Sequence, residues 1–203
     1  MATETTPALE LDGDAQRVDE LSREILREGY RSFSVVRLEL VENDGVTLKM
    51  VLARSPEQDT QELTGIGVGL IDAVFDGVMK AYGSEYLSLK TVVVADFKLG
   101  SGFDGAKGRR SDALAVATLM MKNSHDNQFT FERKTPSVTN SSVRVALDAL
   151  TFFINAERAY VQLQLAMKDA SERRRSDLVQ RYRQQMATLV YATSYEMHRD
   201  PTS

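Results

Sequence analysis

Two glycines and an acid near the start of a helical pattern are the residues of this sequence best suited to hold a small ligand. Gly67 and Gly69 lack a Cβ atom, so backbone amides that open the helix could approach a carboxylate closely. The positive end of the helix dipole would favour that charge. Asp72 could face an ammonium group or compensate the first helical turn.

Residue types that carry catalysis or hold metals are sparse. The chain contains no cysteine, which removes disulfides, thiolate nucleophiles and cysteine–zinc sites and fits a reducing compartment. His125 and His198 stand alone, without a partner at metal-ligand spacing. An enzyme would need a new site built from Asp72, Asp96 and Asp112, and no pattern pairs them on one surface. We therefore predict no catalytic residues, no metal and no cofactor.

The charge of the chain argues against nucleic acid or an acidic membrane surface as its partner. The formal net charge is -4 and the pI is about 5.3, whereas phosphate binding needs a basic face. Residues 173–175, Arg181 and Arg183 form the densest basic run, but Glu172 and Asp177 dilute it. Tyr182 is the one aromatic residue within the run, whereas binding to single-stranded nucleic acid stacks successive bases on several aromatic side chains. We interpret this run as a solvated helix face.

Two glycine-rich stretches resemble nucleotide-binding loops only in part. Residues 65–69 lack the final glycine of a dinucleotide-binding loop, and the flanking elements do not alternate as strand, helix and strand. Residues 100–108 contain Lys107, but glycine follows it where a phosphate-binding loop needs serine or threonine. We predict a mobile inter-strand loop at residues 100–108.

Hydrophobic periodicity predicts an α+β fold made of two consecutive βββα units. Apolar and polar residues alternate in the segments that we predict as strands: 36–40, 46–52, 61–66, 87–95, 112–122 and 128–134. Asn43-Asp44-Gly45 predicts a hairpin turn between the first two. One helix ends at Gly83, and a second is capped by Thr139 or Asn140. Neither unit could cover its own sheet, so we expect both to share one core.

Terminal segments extend this double unit on both sides. We predict a disordered tail at 1–13, an N-terminal helix at 14–30 capped by Asp14, the double βββα domain at 31–168 and a C-terminal helical extension at 169–203. The extension has an apolar stripe that should pack on the sheet domain, on the N-terminal helix or on a partner chain. The sequence contains no secretory signal and no membrane span, so we predict a cytoplasmic location.

Three segments, in order, resemble a known regulatory domain. Residues 67–73 are similar to the Gly-x-Gly-Pro-Val-Asp-Ala segment of the C-terminal regulatory domain shared by 2-isopropylmalate and citramalate synthases. Residues 111–113, Ser-Asp-Ala, match the start of its second middle strand. Residues 149–155, ending in Ile-Asn, resemble its closing helix. The resemblance extends over about 33–160, and the catalytic barrel of those synthases has no counterpart here.

The resemblance implies a homodimer of double βββα units that binds a branched-chain amino acid near the dimer interface as a feedback inhibitor. Leucine, isoleucine and valine are the expected ligands, and Gly67, Val68, Gly69, Asp72 and Ala73 are the expected site. We therefore predict a stand-alone, non-catalytic, allosteric regulatory and dimerisation module. The alternative is a structural or adaptor protein that has lost ligand binding and whose terminal helices assemble with or dock a partner.

Overall fold

Two βββα units in succession form the centre of the chain, which confirms the predicted α+β class. The computed structural model describes residues 9–102 and 114–195. Its elements are β1 (Glu10–Leu11), α1 (Gly13–Leu26), β2 (Ser32–Glu42), β3 (Val46–Ser55), β4 (Asp59–Gly67), α2 (Leu70–Tyr82), β5 (Val93–Gly102), β6 (Leu114–Lys122), β7 (Gln128–Thr135), α3 (Val138–Glu172) and α4 (Ser176–Val190). The N-terminal helix and the C-terminal helical extension thus flank the double unit.

The strands form two antiparallel sheets, one for each unit. Their orders are β2-β3-β4 and β1-β7-β6-β5, and residues 43–45 form the predicted turn between β2 and β3. Leu48, Met50 and Leu52 of β3 are fully buried on one face of the first sheet. Helix α2 lies mainly over β4, whereas α3 lies over β6 and β7 and also contacts α2 and β2. The two units therefore share one core, with α3 near its centre.

The two units repeat in register as well as in topology. Each first strand has an irregularity at the same place, between Val35 and Arg37 in β2 and between Val94 and Asp96 in β5. The rows that follow pair Arg37 with Val51 and Asp96 with Met120. On their other side, Val51 pairs with Glu62 of β4 and Met120 pairs with Thr130 of β7. Glu62 and Thr130 each lie five positions before the last residue of their strand. Positions 65, 67 and 69 therefore correspond to positions 133, 135 and 137.

The chain before the first unit is more ordered than the sequence predicts. Glu10 and Leu11 lie in the predicted disordered tail, yet they form β1 and pair with β7. Asp12, rather than Asp14, caps α1, because its Oδ1 accepts a hydrogen bond from Ala15 N at 2.9 Å. Its Oδ2 also accepts from Thr130 N at 2.7 Å, a tertiary contact that fixes the helix start. Residues 1–8 lie outside the described residues.

The strand predicted at 87–95 begins later than expected. Leu87–Lys90 is a short 3-10 helix, and β5 starts at Val93. The amides of Leu87 and Ser88 donate to the buried carboxylate of Glu157, at 3.1 and 2.7 Å. This contact comes from a distant part of the sequence, so alternation alone does not reveal it. The glycine-rich loop predicted at 100–108 lies outside the described residues from position 103 onward.

Helix α3 begins and ends at residues that the sequence did not indicate. Ser137 is its N-cap, with Oγ accepting from Asn140 N at 3.3 Å, so the predicted caps Thr139 and Asn140 are wrong. The helix runs through the start of the predicted extension to Glu172, and α4 packs back against α3 and α1. Within residues 9–102 and 114–195, no helix is long and apolar enough to cross a membrane.

Candidate functional site

The predicted site lies where β4 leads into α2. Gly67 ends β4, and Gly69 is the N-cap of α2. The side chain of Val68 is 91% exposed, and Asp72 is exposed in the first helical turn. Ala73 is fully buried in the core. The structure therefore brings Val68, Gly69 and Asp72 together on an open helix start and places Ala73 behind it.

Two glycines of this segment let α2 approach β4 closely. A Cβ atom at Gly65 would lie 1.8 Å from Ala73 O, and one at Gly67 would lie 2.5 Å from Ala73 N. Both distances are shorter than a nonbonded contact allows, so these positions need glycine for helix–strand packing. A Cβ atom at Gly69 would meet nothing within 4 Å. Only Gly69 therefore leaves open space at the helix start.

The first turn of α2 has amides that the chain does not cap with a side chain. The first N–H groups of any α-helix have no acceptor within the helix, and a glycine N-cap has no side chain to provide one. Asp76 forms the other polar contact nearby, accepting from Ile66 N at 2.8 Å and pairing with Lys80 at 2.6 Å. The Lys80 ammonium, and then the Ile66 amide, hold the pKa of Asp76 below its usual value.

Exposed apolar side chains lie next to this helix start and, separately, along two sheet edges. They are Val36, Leu40 and Val41 of β2, Ile66 and Val68 beside α2, and Val93, Val94 and Leu99 of β5. In the described part of the chain, β2 and β5 each have a neighbouring strand on one side only. Each also has an ion pair between residues two apart, Arg37–Glu39 in β2 and Asp96–Lys98 in β5.

The buried carboxylate of Glu157 is a polar group that the sequence did not indicate. Besides the two amides before β5, it accepts from the Tyr195 hydroxyl at 3.1 Å. Burial, and then the charge of Glu157, raises the pKa of Tyr195 to about 12. The Tyr195 ring also stacks on Tyr160, with centroids 4.6 Å apart. Glu157 therefore ties the end of the described chain to the core, with its carboxylate oxygens occupied.

Of the three acids that an enzyme would need, the two described ones lie on different elements. Asp72 is at the start of α2, and Asp96 pairs with Lys98 on exposed β5, while Asp112 and His198 lie outside the described residues. His125 is in the turn between β6 and β7, where its amide donates to Asn123 Oδ1. Among the described residues, no group of three or more histidines, cysteines or acids could hold a metal ion.

A groove between α3 and α4 contains most of the basic run. It has a volume of about 840 Å³, and its lining residues are Ser171, Arg174, Arg175, Ser176, Val179, Gln180, Arg183, Gln184 and Ala187. Arg173 pairs with Asp169 and Arg175 with Asp177, all with exposed side chains. This part of the chain therefore has the mixed charge of a solvated helix face next to an open groove.

Comparisons with known proteins leave the resemblance to the synthase regulatory domain as a prediction. No protein-family model matches the sequence, and no curated protein is detectably similar to it. The closing-helix segment has a definite place in the fold: Asn155 Oδ1 accepts from Arg31 N at 2.9 Å, and its Nδ2 donates to Arg31 O at 2.8 Å. Residues 111–113 lie outside the described residues.

Proposed function

We propose that this chain is a non-catalytic regulatory module that acts as a homodimer joined through its sheet edges. The observation that supports this proposal is the pair of long edge strands, β2 with 11 residues and β5 with 10, both with exposed apolar side chains. Such edges pair readily with other strands, and proteins usually cover or interrupt them. A second copy of the chain would cover them.

The charges on the edge strands favour pairing of β2 with a second copy of β2, and of β5 with a second copy of β5. When two copies of one strand pair antiparallel about a twofold axis, residues on either side of the axis lie opposite each other. If the twofold axis passes at Leu38, Arg37 of each copy of β2 lies opposite Glu39 of the other copy. Centred on Phe97, two copies of β5 would set Asp96 against Lys98. Cross-strand pairs of opposite charge stabilise a sheet, and like charges destabilise it.

The ligand that we propose for this module is a branched-chain amino acid, leucine, isoleucine or valine, bound at the start of α2. The uncapped amides after Gly69 suit a carboxylate, and exposed Ile66 and Val68 suit an aliphatic side chain. In one copy this site is open to solvent on the side of Val68. A neighbouring copy would supply the missing wall, which links ligand binding to dimerisation.

Charge reversal tests the dimer directly. Sedimentation or light scattering should give the mass of a dimer for the unaltered chain at micromolar concentration. If β2 pairs, Glu39→Arg or Arg37→Glu alone should weaken the dimer by about tenfold or more, and a mixture of both variants should restore it. Asp96→Lys and Lys98→Asp make the same test for β5. A monomeric chain, or a dimer unchanged by all four variants, would contradict the proposed contact.

A thermal-denaturation titration tests the ligand. Leucine, isoleucine or valine at about 100 times the dissociation constant should stabilise the fold by about 2.7 kcal/mol, because it binds only the folded state. Gly69→Trp should remove the response without unfolding the chain, since that position faces open space. No response to any of the three amino acids, from protein shown to be folded and dimeric, would exclude them as ligands.

The α3–α4 groove favours a second candidate function, that of an adaptor assembled through its terminal helices. Leu165 is 66% exposed beside this groove, on the same stretch of α3 as Lys168. In that case Leu165→Asp, rather than the charge reversals on β2 and β5, should change the mass of the assembly. The amino acids should then leave the melting temperature unchanged.

A further inference from the structure

A second cavity lies at the junction of the two βββα units, away from the start of α2. Its volume is about 240 Å³, room for about eight water molecules at about 30 Å³ each. Its lining residues are Phe33, Ser34 and Val35 of β2, Arg133 of β7, and Arg144, Leu147 and Asp148 of α3. The first unit therefore supplies one wall of this junction pocket, and the second unit supplies the rest.

Two arginines and one aspartate are the charged residues that line the junction pocket. Arg133 Nε donates to Asp148 Oδ2 at 2.6 Å, and these side chains are only 16% and 21% exposed. Burial raises the pKa of Asp148, against the opposing effects of Arg133 and then of the Arg144 charge. Arg144 Nε donates to the neutral amide oxygen of Asn140 at 3.0 Å. Among the described residues, Arg144 forms no ion pair with a carboxylate.

The remaining walls of the junction pocket are apolar and partly rigid. Phe33 and Val35 are on β2, and the Phe33 ring packs against Tyr82 with centroids 5.4 Å apart. Leu147 is buried on α3, one turn from Arg144. Small-molecule sites in proteins combine such apolar walls with a few polar groups that fix the ligand. At this size, the aliphatic part of a ligand is limited to a few carbon atoms.

We propose that the junction pocket binds the carboxylate of a small aliphatic acid. The Arg144 guanidinium binds the carboxylate, a charge-assisted hydrogen bond that arginine forms in a fixed planar geometry. Phe33, Val35 and Leu147 contact the aliphatic chain. Both an unsubstituted acid and an α-amino acid offer this chemistry, and the ammonium of an amino acid would bind the second oxygen of Asp148. Because the ligand touches both units, it holds them together, independently of dimerisation and of the site at α2.

Calorimetric titration of the full chain carrying Gly69→Trp, which blocks the site proposed at α2, separates the possible ligands. The probes are 4-methylpentanoate, leucine and the neutral amide 4-methylpentanamide. We expect at least one of the two carboxylates to bind and the amide not to bind. If leucine binds more tightly than 4-methylpentanoate, the ligand is an amino acid, and Asp148→Asn should remove that difference. If 4-methylpentanoate binds at least as tightly, the ligand is an unsubstituted acid.

Variants then locate the binding. Arg144→Gln should weaken binding of the carboxylate by about tenfold or more, and Arg173→Gln, at the exposed C-cap of α3, should not. Ser34→Phe, at an exposed position of β2, should fill the pocket and abolish binding with the fold intact. 4-Methylpentanoate should bind the unaltered chain and the Gly69→Trp variant equally tightly. No binding of either acid at millimolar concentration, or binding unchanged by both Arg144→Gln and Ser34→Phe, would overturn the proposal.

Discussion

The starts of α2 and α3 occupy equivalent places in the two units but are built differently. Ser137 caps α3, and the Thr135 hydroxyl donates to Ser137 O at 2.8 Å and accepts from Ser137 N at 3.2 Å. The equivalent residues before α2 are Gly69 and Gly67, which have no side chain to offer. The start of α3 is therefore capped by side chains of its own segment, whereas the start of α2 leaves its amides to solvent, a ligand or a partner.

The same substitutions change how each helix lies on its sheet. Gly65 lets α2 lie close against β4, and Arg133 occupies the equivalent position in β7. A side chain of that size cannot lie under a closely packed helix, and α3 lies over both β6 and β7. Arg133 instead reaches Asp148 at the edge of α3. One unit thus gains an open helix start, and the other gains the charged wall of the junction pocket.

The largest effect should come from replacing the glycine at the closest contact. Gly65→Ala places a methyl group 1.8 Å from Ala73 O and 2.8 Å from Gly77 N, so α2 must move away from β4. We expect the free energy of unfolding, measured with urea, to fall by about 3 kcal/mol or more. Gly69→Ala, with nothing near its methyl group, should cost at most about 1 kcal/mol. Equal effects of the two changes would contradict the close packing of α2.

A smaller effect is expected when the closed start of α3 loses a hydroxyl. Thr135→Val keeps the shape of the side chain but removes hydrogen bonds to Ser137 and to Ser141 Oγ, the latter at 2.8 Å. Thr135 is buried, so its partners lose bonds that water cannot replace, and we expect a loss of about 2 kcal/mol in unfolding free energy. Thr64→Val, at an exposed position of β4, should change it by less than about 0.5 kcal/mol. If Thr135→Val lowered the unfolding free energy by no more than Thr64→Val, the Thr135 hydrogen bonds would not stabilise the start of α3.

The sequence predicts well those features that depend on neighbouring residues. Alternation in β3, the turn at residues 43–45 and the glycine that ends α2 are local patterns, and the order of elements follows from them. Features that depend on distant residues could not be predicted in the same way. Asp12 caps α1 while it also binds Thr130. Glu157 accepts from the amides that open the 3-10 helix found where the sequence predicts the start of β5.

The two candidate sites differ in the same way: one depends on neighbouring residues and the other on distant ones. The start of α2 is one continuous segment, so residues 67–73 could be selected from the sequence, although the packing role of Gly67 could not. The junction pocket joins Phe33 to Arg144, more than a hundred positions away, and Arg133 of β7 also lines it. No periodic pattern marks such a site. It becomes visible only when the first unit is packed on the second.

The smallest predicted effect tests what the open helix start is for. Gly69 has φ -136° and ψ 177°, an extended conformation that suits a capping side chain, so Gly69→Ser should stabilise the fold by a few tenths of a kcal/mol. The mirror change, Ser137→Gly, should lose a similar amount. A serine hydroxyl at position 69 would occupy an amide that we assign to the ligand carboxylate, so the same variant should bind the amino acid more weakly. Stabilisation with unchanged ligand affinity would mean that the amides of α2 are uncapped without serving the ligand.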